Sequence, residues 1–102
     1  MMNAMTMSFA QKRPLPNPSV SAHPLLDEMV LELPEQEIVL SLNRSARAVW
    51  ELCDGMRTVY VIAQELGAEM GGLDTDAFDS LLLDVETAVS QFQQHGLLTL
   101  ET

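Results

Sequence analysis

The sequence predicts an α+β fold, in which a small antiparallel three-stranded sheet is followed by three helices, close to a winged helix-turn-helix. Two patterns predict it. Apolar residues alternate with polar ones through residues 26–42, and they then recur every three or four positions through residues 43–94. The length of 102 residues and the apolar content of 47% are sufficient for one domain with one core.

The strand half is predicted to be an antiparallel meander. Residues 19–23 form a short first strand, which Pro24 ends or confines to an edge of the sheet. Residues 26–33 form the second strand, and residues 37–42 form the third after a connection at residues 34–36. The apolar faces of the two long strands consist of Met29, Leu31 and Leu33, and of Ile38, Leu40 and Leu42.

Each predicted helix begins at a residue that can cap it. Asn43 caps a first helix over residues 43–54, which Gly55 ends, and Thr58 caps a short second helix. The longest helix begins at Asp74 or Thr75 and runs to Gln94, and residues 97–100 then form an extended piece packed beside the sheet or the helix pair. The apolar stripe of the long helix is Ala77, Phe78, Leu81, Leu82, Val85, Ala88, Val89 and Phe92.

Residues 1–18 are expected to be a flexible amino-terminal arm, and residues 19–102 the folded domain. The prolines Pro14, Pro16 and Pro18 are expected to break any regular element in the arm. The arm lacks the apolar segment of a secretory signal, and no apolar run in the chain is long enough to span a membrane. With a single cysteine and no internal disulfide, the expected location is the cytoplasm.

The charge disfavours nucleic acid as a partner. The formal net charge is −10, and the folded part has only Arg44, Arg47 and Arg57 as basic residues. Proteins that bind nucleic acids gain much of their affinity by neutralising phosphates with Lys and Arg. A winged-helix DNA-binding regulator is the alternative function, but residues 74–86, which would read the DNA, carry five acidic side chains and no basic one.

No catalytic residues, metal ligands or cofactor site are predicted. The histidines His23 and His95 lie at opposite ends of the chain, and no paired-cysteine motif or phosphate-binding glycine loop occurs. Cys53 and Trp50 fall on the predicted buried face of the first helix, so both are expected in the core. The sequence therefore favours a binding protein over an enzyme.

The third strand is the strongest candidate for a binding site. Residues 37–42 contain no Lys or Pro that would prevent pairing at a sheet edge, and Val39 is expected to face outward. An open edge beside the apolar long helix is suited to the addition of an extended peptide as a further strand. The same edge could pair with a second copy of the chain, which would give a homodimer.

The sequence over about residues 25–100 resembles the PqqD family, the peptide chaperones of pyrroloquinoline quinone biosynthesis and their relatives. The resemblance is carried by Leu42-Asn43, Ala46, Trp50-Glu51-Leu52-Cys53-Asp54-Gly55, Arg57-Thr58-Val59, Ile62, Leu66, Phe92 and Gly96-Leu97-Leu98. It implies a recognition element that binds the leader of a ribosomally made precursor peptide and presents it to a modifying enzyme, typically a radical S-adenosylmethionine protein. The pathway, quinone biosynthesis or another, stays open.

The resemblance also implies where the leader lies. It would run antiparallel to the third strand, along residues 37–42, in the groove against the Leu81–Val89 part of the long helix. The peptide-binding residues predicted in this way are Glu37, Ile38, Val39, Leu40 and Ser41 on the strand, and Leu82, Val85, Glu86 and Val89 on the helix.

Overall fold

The predicted meander is present as an antiparallel sheet in the computed structural model, which describes residues 8–102. Its strands are β2 (Ser21–Leu25), β3 (Glu28–Leu33) and β4 (Ile38–Leu42), in the order β2-β3-β4. The alternation in β3 places Met29, Leu31 and Leu33 in the core, as predicted. Because β3 is central, β2 and β4 each have one edge that no described strand pairs with.

The three predicted helices are present as α1 (Arg44–Glu51), α2 (Val59–Glu69) and α3 (Thr75–Gln94). Each is capped by a side-chain oxygen that accepts a backbone N–H of the first turn. The accepting residues are Asn43 for Ala46 at 2.9 Å, Thr58 for Val61 at 3.1 Å and Asp74 for Ala77 at 2.8 Å. These caps fix where the helices begin, and α1 therefore follows β4 directly.

The turn after α1 shortens that helix relative to the prediction. The helix ends at Glu51 because Asp54 organises a turn of its own, accepting the N–H groups of Met56 and Arg57 at 2.8 and 2.9 Å. These hydrogen bonds, from Arg57 first and then Met56, lower the pKa of the Asp54 carboxyl. The Arg57 guanidinium also binds Glu65 on α2. The acidic and basic residues of this motif are therefore structural.

Gly55 in the same turn permits a close approach of the amino-terminal segment. Its φ is 79°, and a Cβ at this position would lie 2.7 Å from Cδ1 of Leu15. The left-handed backbone favours glycine at this position, and a Cβ would also force the Leu15 side chain to shift.

The expectation that the prolines exclude regular structure before residue 19 is wrong for the described part of that segment. Arg13–Pro16 forms β1, which pairs antiparallel with β5 (Leu98–Glu101) in a second, two-stranded sheet. Pro14 and Pro16 are tolerated there because β1 has one partner only, so a missing N–H can face away from it. Residues 1–7 of the predicted arm lie outside the described residues, and the boundary at residue 19 stays a prediction.

The core lies between β3, β4 and the three helices. Its largest fully buried side chains include Phe92, Leu31, Leu33 and Ile62, and Trp50 meets Phe92 edge to face with ring centroids 5.3 Å apart. Trp50 and Cys53 are buried, as predicted. Burial raises the pKa of the Cys53 thiol to about 12, so the group is an inert core residue.

Candidate functional site

The outer edge of β4 is the first part of the candidate site. Within residues 8–102, β4 pairs with β3 and with no other strand. The exposed fraction of Val39 is 65%, and Ser41 is exposed beside it. The strand contains no proline or lysine that would hinder pairing.

The register determines which backbone groups of β4 face outward. Leu25 and Glu28 flank a two-residue turn and therefore form a hydrogen-bonded pair, as such hairpin ends do. Alternation along β3 then directs the groups of Leu31 toward β4, where Leu31 pairs with Leu40. The N–H and C=O groups of Val39 and Ser41 consequently point away from β3. These are the groups that an added strand would bind.

Helix α3 runs in the opposite direction to β4, and the two elements approach each other near the two ends of the strand. Gly96, just after α3, is next to the start of β4, because a Cβ there would lie 3.4 Å from Oε1 of Gln36 and 3.8 Å from Cδ2 of Leu33. The middle of α3, at Asp84 and Ala88, shares a hollow with Asn43 at the end of β4. A strand added antiparallel to β4 would therefore run parallel to α3.

The hollow at the end of β4 is bounded by all three helices and has a volume of about 620 Å³. Its floor and walls are formed mainly by apolar and small side chains of α1, α2 and α3. The apolar and small lining residues are Ala46, Ala48, Val49, Leu66, Met70, Leu81, Val85 and Ala88. This size is typical of binding pockets and exceeds that of a single side chain.

The rim of the hollow carries charges of both signs. Arg44 stands at the beginning of α1, while Glu69 and Asp84 stand on α2 and α3. None of the three takes part in an ion pair among the described residues. They are therefore available to a bound molecule.

The structure places the predicted site residues in different surroundings. Ile38 and Leu40 are half-buried on the inner face of β4, whereas Val39 and Ser41 face solvent. Glu37 precedes the strand with a φ of 55°. The residues predicted on β4 thus lie together along one edge.

The four residues predicted on α3 do not form one surface. Val85 and Val89 are buried in the core with exposed fractions of 1% and 0%, although Val85 also reaches the floor of the hollow. Leu82 lines a depression against α2, and Glu86 lines another with Phe9. A different flank of α3 faces the hollow, consisting of Leu81, Asp84, Thr87, Ala88 and Gln91.

The sequence did contain a signal for that flank. Leu81, Asp84, Ala88 and Gln91 recur at intervals of three and four positions, and so share one side of a helix. Leu81, Asp84, Thr87 and Ala88 lie within the predicted Leu81–Val89 part of the helix, but of the residues named individually only Val85 lines the hollow. Residues at the border of an apolar stripe are the ones a ligand can reach.

Three of the arginines are occupied within the fold. Arg13 donates to the carbonyls of Gly55 and Thr102, and Arg47 donates to those of Leu26 and Glu28. Arg57 pairs with Asp54 and Glu65. The basic residues therefore form no patch that could follow a phosphate backbone, which argues against the DNA-binding alternative.

Residues 8–102 contain neither a metal-binding cluster nor a membrane-spanning helix. No group of His, Cys, Asp or Glu side chains there is arranged to hold a metal ion. None of the helices in this part of the chain combines the length and the apolar character that crossing a membrane requires.

Comparison with known proteins gives one family and one solved structure. The family model described as Coenzyme PQQ synthesis protein D (PqqD) matches residues 28–98. The structure described as "TbiB1 in Complex with the TbiA(beta) Leader Peptide" superposes with a TM-score of 0.70 at 18% identity, covering 82% of this chain and 93% of that one. A comparison with curated proteins gave no match. The structural likeness confirms the α+β fold predicted from the sequence.

Proposed function

Because this chain belongs to the PqqD family, we propose that it binds the leader of a ribosomally made precursor peptide by strand addition to β4. It then presents the peptide to a modifying enzyme, a radical S-adenosylmethionine protein in pyrroloquinoline quinone biosynthesis or in another peptide pathway. The observation that carries the proposal is the open edge of β4, where Val39 and Ser41 direct their backbone groups outward beside α3. The domain itself contributes binding and no catalytic group.

The energetics favour a peptide that uses both the edge and the groove. Each backbone hydrogen bond to Val39 or Ser41 contributes about 0.5–1.5 kcal/mol net, which is too little for selective binding by backbone contacts alone. Side chains on the inner face of the added strand would lie between Leu40 and the Ala88–Gln91 part of α3. That burial supplies the additional affinity and the selectivity.

The solved structure of similar fold supports this proposal because it contains a leader peptide. It is a complex of TbiB1 with a leader peptide, and its chain is matched over 93% of its length. A domain of this fold can therefore receive a leader peptide. For this chain, the leader would occupy residues 37–42 and the flank of α3 that faces the hollow.

Amide hydrogen exchange gives a direct test. In the free domain, the amides of Val39 and Ser41 should exchange rapidly, whereas that of Leu40 should be protected by its bond to β3. Addition of a binding peptide, obtained from a phage-displayed library of random dodecapeptides, should slow exchange at Val39 and Ser41 only. Protection of Val39 and Ser41 before any peptide is added would show that the edge is already occupied.

The library experiment also distinguishes peptide binding at β4 from self-association of the chain through β4. If β4 pairs with β4 of a second copy, the molecular mass measured by sedimentation rises toward twice the monomer mass as the protein concentration increases. Hydrogen exchange at the Val39 amide then slows without any peptide. If β4 accepts leader peptides, the domain stays monomeric at the same concentration and selects related sequences from the library.

A further inference from the structure

We infer that Arg44 selects an acidic side chain in the bound peptide, located just before the residues that pair with β4. This inference rests on the proposed strand addition and specifies the chemistry of the peptide. Arg44 is exposed, lies two residues beyond the end of β4 and lines the hollow into which the peptide would continue. An acidic peptide side chain at that point would find a cation within reach.

The electrostatics of the domain make Arg44 unusual. It is the first residue of α1, where the helix dipole disfavours a positive charge, and the first turn of α1 contains no acidic residue to offset it. It also has no ion-pair partner among residues 8–102, although the protein contains fifteen acidic side chains. No ion pair within the folded domain therefore accounts for its position.

The direction of the peptide fixes where the acidic residue must be. A strand added antiparallel to β4 has its amino-terminal part beside the carboxyl end of β4. The peptide residues that precede the partner of Ser41 therefore lie beside Asn43 and reach Arg44. At the rise of an extended chain, the acidic residue would precede the partner of Ser41 by about two to four positions. Glu69 on α2 and Asp84 on α3 also line the hollow, and they would repel an acidic side chain placed away from Arg44.

The test uses the random dodecapeptide library with the full chain and two variants. Arg44→Gln removes the charge at the hollow. Lys12→Gln removes a charge elsewhere, because the carbonyl of Lys12 accepts the N–H of Val59 at the start of α2. Both variants change the net charge by the same amount, so their difference reports the local contribution of Arg44.

We expect the unmodified chain to enrich peptides with Asp or Glu on the amino-terminal side of an apolar, strand-forming segment. Arg44→Gln should weaken binding of the enriched peptide about two- to fivefold, as for an exposed ion pair, and Lys12→Gln should leave it unchanged. The reversed variant Arg44→Glu should prefer the same peptide with its acidic residue replaced by lysine. Raised salt should weaken binding to the unmodified chain more than binding to Arg44→Gln.

The two hypotheses fail in different ways. If the library yields strand-forming peptides without an acidic preference, or if Arg44→Gln and Lys12→Gln weaken binding equally, the role of Arg44 is refuted and strand addition stands. An acidic residue enriched on the carboxyl-terminal side would also refute it. If no peptide is enriched at all, strand addition fails, and the role of Arg44 fails with it.

Discussion

Among residues 8–102 the three-stranded sheet leaves two edges open, on β2 and on β4, and they present different surfaces to an incoming strand. On β2, Pro24 pairs with Met29, and the alternation from the Leu25–Glu28 pair directs its ring nitrogen away from β3. The β2 edge therefore lacks a donor at the position where an added strand would need one. On β4, Val39 and Ser41 both retain their donors. The chain thus blocks one edge and leaves the other available.

The surroundings of the two edges differ as well. Every residue of β2 is exposed, and no residue of β2 lines the hollow. The β4 edge leads, through Asn43, to the hollow bounded by α1, α2 and α3. Since backbone hydrogen bonds alone contribute little, an edge becomes a selective site only where a neighbouring surface accepts side chains. Only β4 meets both conditions.

The largest effect is expected on the free energy of unfolding, and it distinguishes the inward-facing from the outward-facing backbone positions of β4. Leu40→Pro removes a donor to β3 and a half-buried side chain, and should destabilise the domain by about 3 kcal/mol. Ser41→Pro removes an outward donor, and should cost about 1 kcal/mol or less. Urea unfolding of both variants measures the difference. Equal losses would mean that the outward groups have been assigned to the wrong residues.

Cys53 provides an independent measure of folding in these variants. Its buried thiol has a pKa of about 12, so it should not react with a thiol reagent at neutral pH while the domain is folded. Ser41→Pro should retain this protection, whereas Leu40→Pro should expose the thiol. Loss of protection in both would indicate that Ser41→Pro also disrupts the core.

The next largest effect concerns binding at the two edges. Ser41→Pro should weaken binding of a library-derived peptide at least about tenfold, because a hydrogen bond is lost and the ring obstructs the incoming strand. Ala22→Pro is the matched control, since Ala22 occupies the corresponding outward position on β2. It should leave peptide affinity unchanged in calorimetric titration. Weaker binding in Ala22→Pro would assign the peptide to the wrong edge.

Residue patterns were sufficient to predict the elements on both sides of the site. Alternation in β3 and the caps Asn43, Thr58 and Asp74 are local features, and local features determine where strands and helices begin. The strand of the candidate site was predicted for the same reason. The pairing of β1 with β5 was missed, because it joins the two ends of the chain and no local pattern encodes it.

The helical side of the site was harder to predict. Sequence periodicity locates the centre of a buried stripe, which is why Val85 and Val89 were selected, but it does not indicate which border of the stripe faces the sheet edge. That choice depends on the packing angle of α3 against α1 and β4. The hollow with Asp84 and Ala88 became visible only in the assembled fold.

A smaller effect is expected when the blocked edge is opened. Pro24→Val restores the outward donor on β2 and adds a β-branched residue, and should produce weak self-association with a Kd of about 1 mM. Concentration-dependent sedimentation measures it. Adding Ala22→Pro to the same chain should abolish the association, while peptide binding at β4 stays unchanged. A strictly monomeric Pro24→Val variant would show that the proline is not what protects this edge.

The smallest effect is expected at the tip of the β2–β3 hairpin. Leu26 has a φ of 59° and an exposed fraction of 99%, so its side chain adds strain to the turn without being buried. Leu26→Gly should therefore raise the free energy of unfolding by about 0.5–1 kcal/mol, net of the greater freedom of glycine in the unfolded chain. Leu25→Gly, in extended backbone, should lower the free energy of unfolding.

Both variants should bind peptide normally, because the tip of the hairpin contributes no group to the edge of β4. The tip is held instead by Arg47 of α1, which donates to the carbonyls of Leu26 and Glu28. If Leu26→Gly weakens peptide binding, the two edges are coupled through that contact and cannot be treated as independent surfaces.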